Sequence, residues 1–310
     1  MRTAMTTGEA GRPIEIREIP TPEPGANQAR IRVHATSLNA GEVRRAAAST
    51  AGQRIGWDIA GIVETAAADG SSPPRGTRVV TLSEGAGWGD FAVVDGRQIG
   101  VIPEGVSFED AATLPVAAVT AYRALGRNGN VLARRILIVP GTGGVGLFAI
   151  QLAHLAGAHV SAVIRDGGDT RLLESIGADE VIVGSTSEAQ SRAPYDLVLE
   201  SLGGDSLGAA VACVAPNGVV VTFGQTLSGQ ATIGTAKFYV TGGASLYGFY
   251  LFHEARRDPI ARDLERLAAL VAKKKLATHI DARYDADKLE EAVAALRERR
   301  VTGKVVVRFA

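Results

Sequence analysis

The chain has 310 residues, with 46% hydrophobic residues and 33 basic against 33 acidic side chains. That length suits about two domains, and the charge balance gives no basic excess for nucleic acid or an anionic membrane surface. The single cysteine, Cys213, excludes an intramolecular disulfide framework and a four-cysteine zinc site. It lies in the apolar run 209–214 and reads as a small buried hydrophobe.

In chain order, residues 1–12 are polar and lack the apolar stretch of a secretory signal, and no apolar run approaches a membrane span. A cytoplasmic location is the expectation. Residues 30–35 alternate Ile31, Val33 and Ala35 with Arg30, Arg32 and His34, as a half-buried strand does. Further strands are expected over 59–64, 78–82 and 91–94, with turns at the prolines of 20–24, at 70–74 and in the glycine-rich 85–89. The first hundred residues thus read as β-structure without a long helix. Ser107 and Asp110 mark a helix start.

A β/α alternation follows. Strands are expected at 136–139, 159–164, 180–183, 196–200, 219–223 and 245–248, and helices at 144–156, 169–176 and 206–215. Strands separated by helical segments imply a doubly wound parallel sheet. Helices over 261–274 and 285–297 and a strand over 304–309 close the chain. Their position suggests a return to complete the first domain.

The sharpest motif is Gly141-Thr142-Gly143-Gly144-Val145-Gly146, which follows an apolar strand and opens a helical pattern. In a dinucleotide fingerprint one glycine makes the tight turn, one lets backbone approach the pyrophosphate, and the last lets helix and strand pack closely. The helix N-terminus then offers N–H groups to the phosphates. At the end of the next strand stand Arg165 and Asp166, with Arg171 beyond. Arginine there suits the 2′-phosphate of NADPH, whereas a carboxylate suits the ribose of NADH. The two arginines favour NADPH; Asp166 leaves NADH use open.

These motifs join others spread along the chain: Ser37-Leu-Asn39-Ala-Gly-Glu42, Gly56-Trp-Asp58-Ile-Ala-Gly61, Ile102–Ser107, Ala111–Pro115, Val119–Tyr122, Gly177-Ala-Asp179, Asp196–Ser201, Phe223-Gly224 and Gly303-Lys-Val305. With them the chain resembles, nearly end to end, the zinc-independent quinone oxidoreductase branch of the medium-chain dehydrogenase/reductase superfamily. The resemblance implies an α/β fold with a Rossmann doubly wound parallel sheet (113–253) inserted into a GroES-like, mainly β catalytic domain (1–112 and 254–310). It also implies a cofactor and substrate that meet between the two, and a homodimer. By motif position, Asn39 and Thr120 would lie near the nicotinamide, and residues 142–146 would hold the pyrophosphate. Ser201, Phe223 and Gly224 would border the adenosine, and Leu246, Tyr247, Gly248 and Phe249 would pack by the nicotinamide. Zinc-dependent relatives carry a cysteine where Asn39 stands, so no zinc is expected, and the five histidines form no ligand-spaced set. The tyrosine that many enoyl reductases carry is absent from 44–53, and Gly184 stands where NADP-using relatives often have one.

The expected activity is NADPH-dependent hydride transfer to a quinone or an α,β-unsaturated carbonyl compound. Charge developing on the acceptor oxygen needs donors. Asn39 is one candidate, and Tyr247, Tyr250, His253 or solvent could deliver a proton. Tyr247 and Tyr250 also read as an aromatic pocket wall, and His253 as a surface or capping residue. The aromatic stretch 238–252 is the expected specificity region. Two alternatives stay open: reduction of an enoyl thioester or polyketide intermediate, for which Arg44 and Arg45 are the only basic candidates, and NADPH binding with little or no turnover.

Overall fold

The computed structural model describes residues 1–309, which form two compact units: Met1–Val119 together with the chain from Leu251 onward, and Thr120–Tyr250.

The first unit is built on a seven-stranded sheet. Its centre is the strand Gln28–Leu38, paired antiparallel with Asp58–Thr65, with Phe91–Asp95 and with Lys304–Arg308. The alternation read from the sequence sets its faces: Ala29, Ile31, Val33 and Ala35 are buried, whereas Arg32 is exposed. Lys304–Arg308 inserts between Gln28–Leu38 and Ile280–Asp285, so the end of the chain does complete the first sheet. Val305, Val306 and Val307 are all fully buried, because this strand is covered on both faces.

Three features of this unit escape the pattern reading. A hairpin pairs Arg2–Thr6 with Ile14–Glu18. Ile280–Asp285 is a strand where the sequence suggests the approach to a helix, and the helix itself begins only at Leu289. A nine-residue helix, Ala40–Ala48, also occupies the half expected to lack one. Its start is set locally, since the Glu42 carboxylate accepts from the backbone N–H of Asn39 at 2.7 Å, one arm of a capping box. At Ser107 the expected cap is present: its hydroxyl accepts from the N–H of Asp110.

The second unit is a six-stranded sheet, parallel throughout, in the order Glu180–Val183, His159–Ile164, Arg135–Val139, Tyr195–Glu200, Val214–Thr222, Ser245–Gly248. In chain order these are the third, second, first, fourth, fifth and sixth strands, the doubly wound arrangement with its switch point between Arg135–Val139 and Tyr195–Glu200. The fifth strand begins at Val214, so the preceding helix ends at Ala212, earlier than expected. The helix Gly144–Leu155 packs Leu147, Phe148, Ile150 and Ala153 into the core. Phe148 is almost wholly buried, so Phe148→Ala should cost about 3–5 kcal/mol. Urea unfolding monitored by circular dichroism checks this, and an unchanged midpoint would mean the helix is not anchored there.

Candidate active site

The glycine loop sits between the strand Arg135–Val139 and the helix Gly144–Leu155, and its three spaced glycines have different reasons to be glycine. A Cβ on Gly146 would stand 2.2 Å from the carbonyl oxygen of Pro140 and 2.7 Å from that of Gly141. A Cβ on Gly141 would meet Leu173 at 2.7 Å and Ala162 at 3.1 Å. Gly143 meets nothing of the protein closer than 3.6 Å. Backbone packing therefore demands glycine at 146, side chains crowd position 141, and Gly143 leaves room on the protein side. It is also the N-cap of a twelve-residue helix with no side-chain cap. A phosphate fits that cradle, because the first-turn N–H groups lack intrahelical acceptors.

At the end of the strand His159–Ile164, the chain turns through 165–168, with Gly168 N–H donating to the Arg165 carbonyl and Gly167 at φ 77°. Arg165, Asp166 and Arg171 are all exposed, and neither arginine side chain has an ion pair or hydrogen bond among the described residues. After the fourth strand, the buried carboxylate of Glu200 accepts from the N–H groups of Leu202 (2.7 Å) and Gly203 (3.0 Å) and from the Ser206 hydroxyl (3.0 Å). Burial raises the Glu200 carboxyl above its ordinary value, against the pull of those donors. The turn that carries Ser201 is thereby fixed. Phe223 and Gly224 follow the fifth strand, with Phe223 N–H bonded to the Glu200 carbonyl at 3.0 Å. Thr120 is buried.

The aromatic stretch 238–252 does not form one wall. Phe249 and Phe252 are buried, Phe238 packs against the sheet, and Tyr239 and Tyr250 are 76% and 52% exposed. Tyr239 lies on the helix Thr235–Thr241, which buries none of its residues. Leu246 and Gly248 are exposed on the edge strand. Tyr247 carries the guanidinium of Arg127 over its ring, 4.4 Å from the centroid. His253 is exposed on the helix Leu251–Arg257, and Arg44 and Arg45 are exposed on Ala40–Ala48.

In the first unit, Asn39 belongs to a buried charge network that the sequence reading passed over. Its amide nitrogen donates to Asp58 Oδ2 at 2.8 Å and to Glu42 Oε1 at 3.1 Å, and its Oδ1 accepts from Lys304 Nζ at 2.7 Å. Asp58 Oδ2 also accepts from Ser37 Oγ at 2.6 Å and faces Lys304 Nζ at 3.4 Å, while Asp58 Oδ1 accepts from the Val116 N–H at 2.8 Å. Glu42 Oε2 accepts from the Trp57 N–H at 2.7 Å. Asp58 and Lys304 each open a strand, Asp58–Thr65 and Lys304–Arg308, and nothing in the sequence pattern links them. Among the described residues, no group of three or more His, Cys, Asp or Glu is placed to hold a metal ion. Zinc does not fit this donor set, because the two carboxylates already accept from N–H, hydroxyl and ammonium donors and no thiolate or imidazole joins them.

A doubly wound sheet with a glycine cradle at its first helix is the arrangement of a dinucleotide-binding domain. A family model described as zinc-binding dehydrogenase matches residues 176–307. The chain is 29% identical to the chloroplast envelope quinone oxidoreductase homolog of Arabidopsis thaliana, covering 97% of this chain and 94% of that one. It is also 29% identical to the 2-methylene-furan-3-one reductase of Solanum lycopersicum, over 93% of this chain and 74% of that one. The quinone oxidoreductase of Escherichia coli complexed with NADPH superposes with a TM-score of 0.90 at 19% identity, covering 100% of both chains. Over almost its whole length the chain is thus similar to quinone oxidoreductase-like proteins, and it shares its fold with a solved quinone oxidoreductase.

Burial first, and then the neighbouring Asp58 charge, push the Glu42 carboxyl well above its ordinary value of 4.5, while Lys304 and Asn39 pull it back. The folded protein therefore holds this proton more tightly than the unfolded chain. The resulting stability is fully present below the ordinary carboxylate range and is lost as pH rises toward the folded-state value. Glu42→Gln should flatten that part of the stability profile. Urea midpoints from pH 4 to pH 8 test it, and identical slopes in both proteins would refute it.

Proposed function

We propose that the protein is a zinc-independent, NADPH-dependent reductase of quinones or small α,β-unsaturated carbonyl compounds. The observation that carries the nucleotide half is the cradle at Gly143, open on the protein side at the N-terminus of the helix Gly144–Leu155. On this reading residues 113–253 bind NADPH, and residues 1–112 with 254–310 form the catalytic domain. Gly141, Thr142, Gly143, Gly144, Val145 and Gly146 hold the pyrophosphate. The unpaired Arg165 and Arg171 hold the 2′-phosphate, and Ser201, Phe223 and Gly224 border the adenosine. Thr120, Asn39 and Leu246–Phe249 belong to the nicotinamide end. NADPH, when bound, supplies hydride to the acceptor carbon.

The chain's own part is to orient the acceptor and to stabilise charge on its oxygen. Both amide hydrogens of Asn39 go to Asp58 and Glu42, so its role is polarity and shape at the nicotinamide end. The Tyr247 and Tyr250 hydroxyls and water are the donors we assign to the acceptor oxygen. The names of the relatives from Arabidopsis and tomato support a conjugated carbonyl or quinone acceptor. Consumption of NADPH by metal-depleted protein, against quinones, small enones and enoyl thioesters, tests the reading. Turnover with one class is expected; tight NADPH binding without turnover on any would refute it.

The cofactor assignment is tested separately. Arg165→Ala should weaken NADPH binding by at least tenfold, the scale of about 1.5–3 kcal/mol for a charged hydrogen bond, and leave NADH binding nearly unchanged. Equal loss for both cofactors would remove the 2′-phosphate role.

We also propose a homodimer. The edge strand Ser245–Gly248 leaves one side unpaired, and Leu246 on it and Tyr239 and Val240 on the helix Thr235–Thr241 are exposed. A dimer mass by light scattering is expected, with Val240→Glu shifting it toward monomer. A monomeric wild-type protein would overturn this.

A further inference from the structure

Lys304 has no task in the reaction just described, yet its ammonium is almost wholly buried, with side-chain exposure of 3%. A charge is retained in such a place only when it is paired and hydrogen-bonded. Here its three hydrogens have three oxygens within reach: Leu38 O at 3.2 Å, Asn39 Oδ1 at 2.7 Å and Asp58 Oδ2 at 3.4 Å. A pair of well-packed apolar side chains would serve stability as well. What only the charges achieve is orientation.

A carboxamide can rotate by half a turn and exchange its oxygen for its nitrogen. The ammonium only donates, and an ionised carboxylate only accepts. Asn39 therefore has one satisfied orientation, with Oδ1 toward Lys304 and Nδ2 toward Asp58. Asp58 also divides its two oxygens between two segments. Oδ2 takes Asn39, and Oδ1 takes the N–H of Val116, within the π-helical turn Leu114–Ala118 that leads directly to Thr120. One buried carboxylate, neutralised by one buried ammonium, thus sets both chain segments that the functional reading places at the nicotinamide end.

We propose that Lys304 and Asp58 are positioning residues for hydride transfer: the ammonium locks the Asn39 amide, and the carboxylate ties residue 39 to the 114–118 turn. The proposal rests on the reductase reading for its catalytic consequence, but not for its structural one.

The test uses full-length Lys304→Met and the double variant Lys304→Met/Asp58→Asn. The single variant leaves Asp58 without its counter-charge and is at risk of unfolding. The double variant removes both charges with groups of similar size and carries the test in that event. Three quantities are measured: kcat with the best acceptor, NADPH affinity by fluorescence titration, and amide hydrogen exchange across the chain. Loss of preorganisation should lower kcat by about 10- to 100-fold. NADPH affinity should hold, and exchange should quicken over 37–42 and 114–118 while 136–155 stays protected. The double variant should regain thermal stability without regaining kcat.

A folded variant with wild-type kcat, or with unchanged exchange in both segments, would overturn the proposal. So would recovery of full kcat in the double variant, since that would make the charges a matter of balance alone. If the wild-type protein reduces no acceptor, the reductase reading fails, and the exchange result alone then decides whether Lys304 positions these segments.

Discussion

The first unit is organised around a single buried carboxylate. Asp58 is fully buried at the start of its strand and has donors from three separate parts of the chain: Ser37 and Asn39 at the end of the central strand, the Val116 N–H, and the Lys304 ammonium. Removing one partner from a buried ion pair typically costs about 3–5 kcal/mol, because the other charge is left uncompensated. The arrangement is therefore all-or-none. The strand order follows the same logic, since Lys304 reaches Asp58 only when the last strand lies beside Gln28–Leu38.

The second unit reaches precision by the opposite means. Its nucleotide cradle is made of backbone and of missing side chains, and no charged residue stands within residues 141–146. Gly146 and Gly141 are small because the protein itself crowds them, whereas Gly143 faces space. The one buried carboxylate nearby, Glu200, fixes a turn rather than facing a ligand. A backbone site of this kind suits a ligand common to many reactions.

Much of this was legible in the sequence. The parallel sheet could be read strand by strand because each buried strand is a short apolar run followed by a turn, and the glycine loop announced itself by spacing and context. The helix Ala40–Ala48 was missed because its start depends on Glu42, a side chain that also serves the tertiary network. The Asp58–Lys304 pair was invisible for a plainer reason: its members are 246 residues apart, and no periodicity links them. The aromatic stretch misled in the other direction. Counting rings suggested one flat wall, but Tyr239 lies on the helix Thr235–Thr241, which buries none of its residues.

The network also bears on which acceptor this chemistry suits. All three hydrogens of the Lys304 ammonium are directed at protein oxygens, and both amide hydrogens of Asn39 face carboxylates. On the reductase reading, neither presents a free donor to the oxygen that gains charge. What remains is hydroxyl groups and water, and a charge spread by conjugation depends less on such donors than a concentrated one does. An isolated carbonyl reduced by hydride becomes an alkoxide, with its charge on one atom. A quinone or an enone becomes an enolate-type anion, with its charge shared along the conjugated system. On the reductase reading, a site whose cation is locked inward is therefore better matched to a conjugated acceptor than to an isolated carbonyl.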